Sequence, residues 1–177
     1  DDYYTIMVVG EFKHGKSTFV NALLGQDIMP RGVTPTTATI NTVFYGEQQE
    51  VQVLKVDGTI EKYDSVKVLN QFTASEKFNS DEIKYIKLFL NSSILKDRVV
   101  LLDTPGVNDL SEQRTDVTHQ FLPRADVVIF MCSLTSPIKL SEQVFIEEQL
   151  LKNNLDRTIF AANFADTIEE EELDDVI

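Results

Sequence analysis

Apolar residues recur along the chain in short runs at 6–9, 40–45, 51–56, 99–102, 127–132 and 158–162. The runs are rich in β-branched residues and mostly continuous, as strands buried on both faces are. Between them the apolar positions follow a helical period. A helix is expected over 17–24, directly after a glycine-bearing stretch. Val66, Leu69 and Phe72 share one helical face. Ile83, Ile86 and Leu90 share another, with Asn79 and Glu82 spaced as an N-terminal capping pair, so a helix is predicted there too. Ser141 opens a further run, 142–152, with apolar Val144, Phe145, Leu150 and Leu151. "VDGT" at 56–59 is a hairpin signal, because Asp-Gly suits a tight turn between antiparallel strands. Strands alternating with helices predict a doubly wound α/β sheet, mostly parallel, with one local antiparallel hairpin.

The 177 residues suffice for one domain with a full core, and no repeat, low-complexity linker or composition shift divides 1–177. No apolar run reaches the roughly 18 residues of a membrane-spanning helix. The opening Asp1-Asp2-Tyr3-Tyr4 lacks the basic start and apolar stretch of a signal peptide. A single cysteine, Cys132, fits a reducing compartment, hence a cytoplasmic location. With Phe130 and Met131 beside it and no adjacent cation, it reads as a buried, inert thiol. The acidic stretch 169–172, with Asp174 and Asp175, reads as a solvated helix start. The net charge of −13 makes nucleic acid and anionic lipid poor partners for the domain itself. An anionic ligand has to be held by a local concentration of donors.

That concentration lies at "GEFKHGKST", 10–18, directly after the first apolar run. Gly10-x-x-x-x-Gly15-Lys16-Ser17 is a complete Walker A pattern, with a predicted strand before it and a helix after it. The glycines let the backbone curl so that N–H groups point inward at phosphate oxygens, and the helix start adds its positive dipole end. Lys16 is placed to reach the β- and γ-phosphates, Ser17 to ligate Mg²⁺, and His14 and Thr18 lie in the same phosphate-facing stretch.

"VVLLDTPG", 99–106, is a buried strand running into Asp-Thr-Pro-Gly. At the C-terminal edge of a strand, Asp103 can hold Mg²⁺ directly or through water, and Gly106 can offer its backbone N–H to a γ-phosphate. The run 158–162 leads into Asn163-Phe164-Ala165-Asp166. Asp166 can accept two N–H bonds from the Watson–Crick edge of guanine, which adenine cannot supply. The expected ligands are therefore GTP and GDP with Mg²⁺.

These motifs in this order look like a GTPase. "GEFKHGKSTFVNALLGQDIMPRGVTPTTATI" resembles the dynamin superfamily, in particular its bacterial dynamin-like and mitofusin branches. Asn21-Ala22-Leu23-Leu24-Gly25, the Pro30-x-Gly32 step, the threonine-rich loop and "LLDTPGVND" carry the likeness, which extends from about Thr5 to Asp166 and is weak over 46–96. The resemblance implies a GTPase head that forms a homodimer across its nucleotide face. In full-length relatives such a head joins a helical stalk that acts on membranes, so membrane association is expected only through regions outside 1–177. The resemblance also makes Thr37 the candidate for the switch threonine that closes on Mg²⁺ and the γ-phosphate, with Thr34 and Thr36 as rivals.

Three departures from the family pattern stand out. Phe164 replaces the lysine usual in Asn-Lys-x-Asp, giving the guanine pocket an aromatic wall, as mitofusin-like relatives also depart there. Val107 stands where small GTPases carry a water-orienting glutamine. The fifth guanine loop, the last sheet elements and the stalk are not found within 177 residues, which reads as an incomplete C-terminus.

Lys13 sits where related GTPases hold a potassium-binding asparagine or an internal arginine finger, so its ammonium is a candidate for stabilising transition-state charge. The competing readings are a solvated loop lysine, or Arg31 in that role. His14 reads more simply as an exposed loop residue, and His119 as an ordinary helix-surface histidine. The sequence thus points to a Mg²⁺-dependent, dynamin-like GTPase. Two alternatives remain open at this stage: a GTP-binding switch with little hydrolysis, and a GTPase of ribosome assembly or translation, which the −13 charge disfavours.

Overall fold

The computed structural model describes residues 2–10, 15–30, 39–70, 82–104, 121–136, 138–150, 152 and 155–164. The six apolar runs become six strands of one eight-stranded sheet, β1 (Tyr4–Gly10), β2 (Asn41–Tyr45), β3 (Glu50–Lys55), β6 (Val99–Asp103), β7 (Val127–Ser133) and β8 (Thr158–Asn163), and the other two are β4 (Ile60–Tyr63) and β5 (Ile83–Leu90). Their spatial order is β4-β3-β5-β2-β6-β1-β7-β8. The half containing β6, β1, β7 and β8 is parallel throughout. β2 joins it antiparallel to β6 and pairs parallel with β5, while β3 runs antiparallel to both β4 and β5. The Asp57-Gly58 turn closes the β3–β4 hairpin, and Gly58 takes a φ of 88° that suits glycine.

Alternate residues of the central strands feed two cores. Val8 of β1, Val43 of β2, Leu88 of β5 and Leu101 of β6 pack on one face with Val20 and Leu24 of helix α1 (Lys16–Leu24). Met7, Val9, Leu102 and Phe130 pack on the other with Leu122, Phe145 and Leu150. The continuous apolar runs of β1, β6 and β7 follow from this two-sided burial, whereas β8, expected from the same kind of run to be buried on both faces, is an edge strand with no buried residue, and β3 buries only every second residue. Phe145 ends helix α2 (Leu140–Phe145), which continues as a wide π-helical stretch, Ile146–Leu150. Its start is tied by the Lys139 N–H, which donates to Glu142 Oε2 at 2.9 Å.

The helix expected around Ile83, Ile86 and Leu90 is a strand. Those three residues do fall at helical spacing, but the burial of Ile86, Leu88 and Leu90 has period two. Lys87 masked the alternation. Its ammonium lies 6.0 Å from the Phe44 ring centroid and 5.9 Å from that of Tyr85, on the sheet face opposite the buried aliphatics. Pairing on both sides, with β2 and β3, decides the outcome over local periodicity. Asn79 of the expected capping pair lies outside the described residues, as do Phe72, His119 and the acidic stretch 169–175. Cys132 is half-buried rather than buried. Burial, and then the charge of Glu142, raise its thiol above the ordinary value, which leaves it a poor nucleophile.

Candidate nucleotide site

The parallel strands β6, β1, β7 and β8 all bring their C-terminal ends to one edge of the sheet, where α/β sheets bind ligands. β1 stops at Gly10. A Cβ there would stand 2.6 Å from the Met131 carbonyl oxygen of β7, so only glycine lets the chain leave the strand along this path. Glu11, Phe12, Lys13 and His14 lie outside the described residues. The chain is described again at Gly15, which caps α1 in a left-handed conformation, φ 81° and ψ 20°.

α1 begins with Lys16, and the helix start aims this side chain inward. Lys16 is 5% exposed. Its Nζ donates to the backbone carbonyl of Thr104, and it lies 3.8 Å from Asp103 Oδ1. Asp103 is the last residue of β6 and is 1% exposed. Burial raises its carboxyl above the ordinary value, while the Lys16 charge and hydrogen bonds from Asn41 and Lys16 pull the other way. Asp103 Oδ1 accepts no hydrogen bond among the described residues. Thr104 is fixed in turn, its hydroxyl donating to the Val8 carbonyl at 2.8 Å. Ser17 is half-buried and Thr18 exposed, both in the first turn of α1.

The third motif meets the first directly. Asn163 ends β8, paired with Ser133 of β7. A Cβ on Gly15 would stand 2.3 Å from Asn163 Nδ2, so the asparagine amide occupies the space that the glycine leaves. Asn163 Oδ1 accepts from the Phe164 N–H at 2.8 Å, and its carbonyl accepts from the Leu134 N–H at 3.0 Å. These bonds hold the turn out of β8, where Phe164 takes a φ of 66°.

The structure thus brings Gly10, Gly15, Lys16, Ser17, Asp103 and Asn163 to one edge. Thr37, Gly106 and Asp166 fall outside the described residues, as do Arg31 and Val107. Sequence reasoning missed three groups. Asn41 opens β2 directly opposite Asp103 and is 8% exposed. Its signal was a polar residue in phase with Val43, on the face that alternation turns inward. Thr104, inside the Asp-Thr-Pro-Gly motif, is 2% exposed. Asn21, 3% exposed, lies four residues after Ser17 on α1. Its amide donates to the Met29 carbonyl at 2.9 Å and to Asp27 Oδ1 at 3.0 Å, and its Oδ1 accepts from the Ile28 N–H at 2.9 Å and the Met29 N–H at 2.6 Å. One side chain therefore pins the segment that leads toward the threonine-rich loop.

The donor set fits Mg²⁺. Among the described residues no group of three or more His, Cys, Asp or Glu could hold a metal by itself. Mg²⁺ needs no such cage, because it keeps several waters and binds through one or two protein oxygens plus phosphate. Asp103 Oδ1, buried and accepting no hydrogen bond from the described residues, is an oxygen of the right kind at the right edge.

Comparison with known proteins agrees with this arrangement. The Dynamin_N profile of the dynamin family matches residues 6–165. An uncharacterised protein of Caldicellulosiruptor sp. is 30% identical over 177 residues, covering 98% of this chain and 43% of that protein. A probable chloroplastic transmembrane GTPase, FZO-like, of Arabidopsis thaliana is 33% identical over 82% of this chain and 14% of its own length. A bacterial dynamin-like protein of Nostoc punctiforme is 25% identical over 97% of this chain and 26% of its own. The chain therefore spans less than half the length of these relatives. In fold, it aligns over 98% of its length with 28% of a chain from an oligomerised bacterial dynamin pair, with a TM-score of 0.71 and 24% identity.

Proposed function

Because this chain belongs to the dynamin family, we propose that it is a Mg²⁺-dependent GTPase head that hydrolyses GTP to GDP and phosphate and dimerises across its nucleotide face. The observation that carries the reading is the junction of Lys16, Asp103 and Asn163 at one sheet edge, with Asn163 seated on Gly15. The first two supply phosphate and metal contacts, and the third ties the guanine-side turn to the phosphate loop.

In the proposed reaction, water attacks the γ-phosphorus in line, the bond to the β–γ bridging oxygen breaks, and the water proton leaves with the phosphate. Positioning and charge compensation supply most of the acceleration. Lys16 moves from the Thr104 carbonyl to the β- and γ-oxygens. Gly10 and Gly15 let the backbone approach the phosphates, Gly106 adds a backbone N–H, and His14 and Thr18 flank them. Asp103, Ser17 and Thr37 are the groups that would hold Mg²⁺, which when bound offsets charge on the β- and γ-oxygens. Asn163 and Asp166 recognise guanine. Lys13 supplies the transition-state cation that Val107 cannot replace. We assign residues 1–177 to a single GTPase domain. Among the described residues no helix is long and apolar enough to cross a membrane. Membrane remodelling is assigned to regions beyond this chain, in line with the transmembrane GTPases among its relatives.

Phosphate release from GTP, measured on wild type and Lys13→Ala, tests this reading. Turnover is expected to fall at least about tenfold in Lys13→Ala while GDP affinity holds, since a supplied cation contributes up to about 10³–10⁵-fold and lysine lacks the arginine fork. Unchanged turnover in a variant that dimerises normally would remove Lys13 from the mechanism. A second reading, a GTP-binding switch with little hydrolysis, is favoured by Val107. It predicts that GTP binds and stays intact in a single turnover.

A further inference from the structure

Asparagine is a poor strand former, and a buried one is costly unless its amide is hydrogen-bonded. Asn41 is both the first residue of β2 and 8% exposed, on the sheet face that carries α1. Antiparallel pairing of β2 with β6 sets it directly across from Asp103. Residues opposed in this way have Cβ atoms about 5 Å apart, within reach of an amide and a carboxylate. The Asn41 side chain also pulls the Asp103 carboxyl down, against the burial that raises it. Asp103 is thus approached by Asn41 from the neighbouring strand and by Lys16 from the helix start.

Those two partners are not equivalent. On the reading given under Proposed function, on which this inference rests, Lys16 is committed to the β- and γ-phosphates when nucleotide is bound. Asn41 has no such second duty. It also follows Thr37 by four residues in the sequence.

We propose that Asn41 is a positioning residue for the metal carboxylate: from β2 it fixes the orientation of Asp103 so that Oδ1 faces the Mg²⁺ position once Lys16 has turned to phosphate. Groups that orient a metal ligand in this way typically set about 10–100-fold in metal affinity. A residue that only fills space would not affect the metal selectively.

The test is a titration of Mg²⁺ into the 177-residue chain with a fluorescent N-methylanthraniloyl GDP, following nucleotide affinity from EDTA to saturating metal. In wild type, affinity rises with Mg²⁺. In Asn41→Leu, which keeps the size and removes the donor, the Mg²⁺ concentration giving half of that rise is expected to increase about 10–100-fold. Asn41→Val, a better strand former that also lacks a donor, carries the same comparison if the leucine variant does not fold. A half-point equal to wild type in a folded variant overturns the role of Asn41 and leaves the nucleotide site standing. Wild type that binds the nucleotide with no response to Mg²⁺, or does not bind it, overturns both.

Discussion

Asn21 and Gly15 show how single residues shape the chain on either side of the start of α1. Asn21 spends its whole amide on the 27–29 segment, so an apolar replacement strands buried backbone groups at Ile28 and Met29. Asn21→Leu is expected to destabilise by about 3 kcal/mol, a fall of roughly 6–12 °C in melting temperature for a chain of this size. Differential scanning calorimetry without nucleotide measures it, and a shift under about 1 kcal/mol would mean that the segment holds itself. Gly15 is limited twice, by a φ of 81° and by Asn163 Nδ2 where its Cβ would go. Gly15→Ala therefore has to displace the asparagine as well as pay about 1–2 kcal/mol of left-handed strain. Both nucleotide affinity and melting temperature should drop together, whereas a merely flexible glycine would lower only stability. The same scale explains what the sequence hid. The Gly-x-x-x-x-Gly-Lys-Ser and Asp-Thr-Pro-Gly patterns are local, so Lys16 and Asp103 were legible. Asn41 and Thr104 act through residues 62 and 96 positions away, across strand pairings that no local pattern contains.

Among the elements, β1, β6 and β7 were legible as strands buried on both faces from continuous β-branched runs, and the β3–β4 hairpin from its Asp-Gly turn, but the run of β8 concealed an exposed edge strand. β5 was not. A lysine on one face and apolar residues three and four apart imitate a helix until neighbouring strands are present to impose period two. That account gives β5 and β8 opposite sensitivities. Leu88, fully buried between β2 and β3, should cost about 3 kcal/mol on truncation in Leu88→Ala. Ile159 on the edge strand β8 is 55% exposed, and Ile159→Lys should stay within about 0.5 kcal/mol. Urea unfolding of both variants checks the contrast. A large loss at Ile159 would place that residue in a packed interface of the isolated chain.

At the scale of the whole molecule, one parallel half-sheet delivers Gly10, Asp103 and Asn163 to the same edge, and the start of α1 brings Lys16 against it. The net charge of −13 makes that edge the place where an anion has to be met by specific donors rather than by general attraction. The order of the three motifs made this edge legible in advance. The antiparallel insertion of β2 between β5 and β6, which brings Asn41 to the site, was not legible, because strand order across a sheet is set by packing of the completed core. The central claim is that this edge holds a guanine nucleotide. Calorimetric titration of GDP and ADP into the chain in Mg²⁺, with Asp166→Ala alongside, tests it most directly. The account predicts that GDP binds at least about 10³-fold more tightly than ADP, and that Asp166→Ala removes most of that preference, because a site built to pair donors rejects a base that lacks them. Equal affinity for GDP and ADP, or a preference untouched by Asp166→Ala, would contradict it.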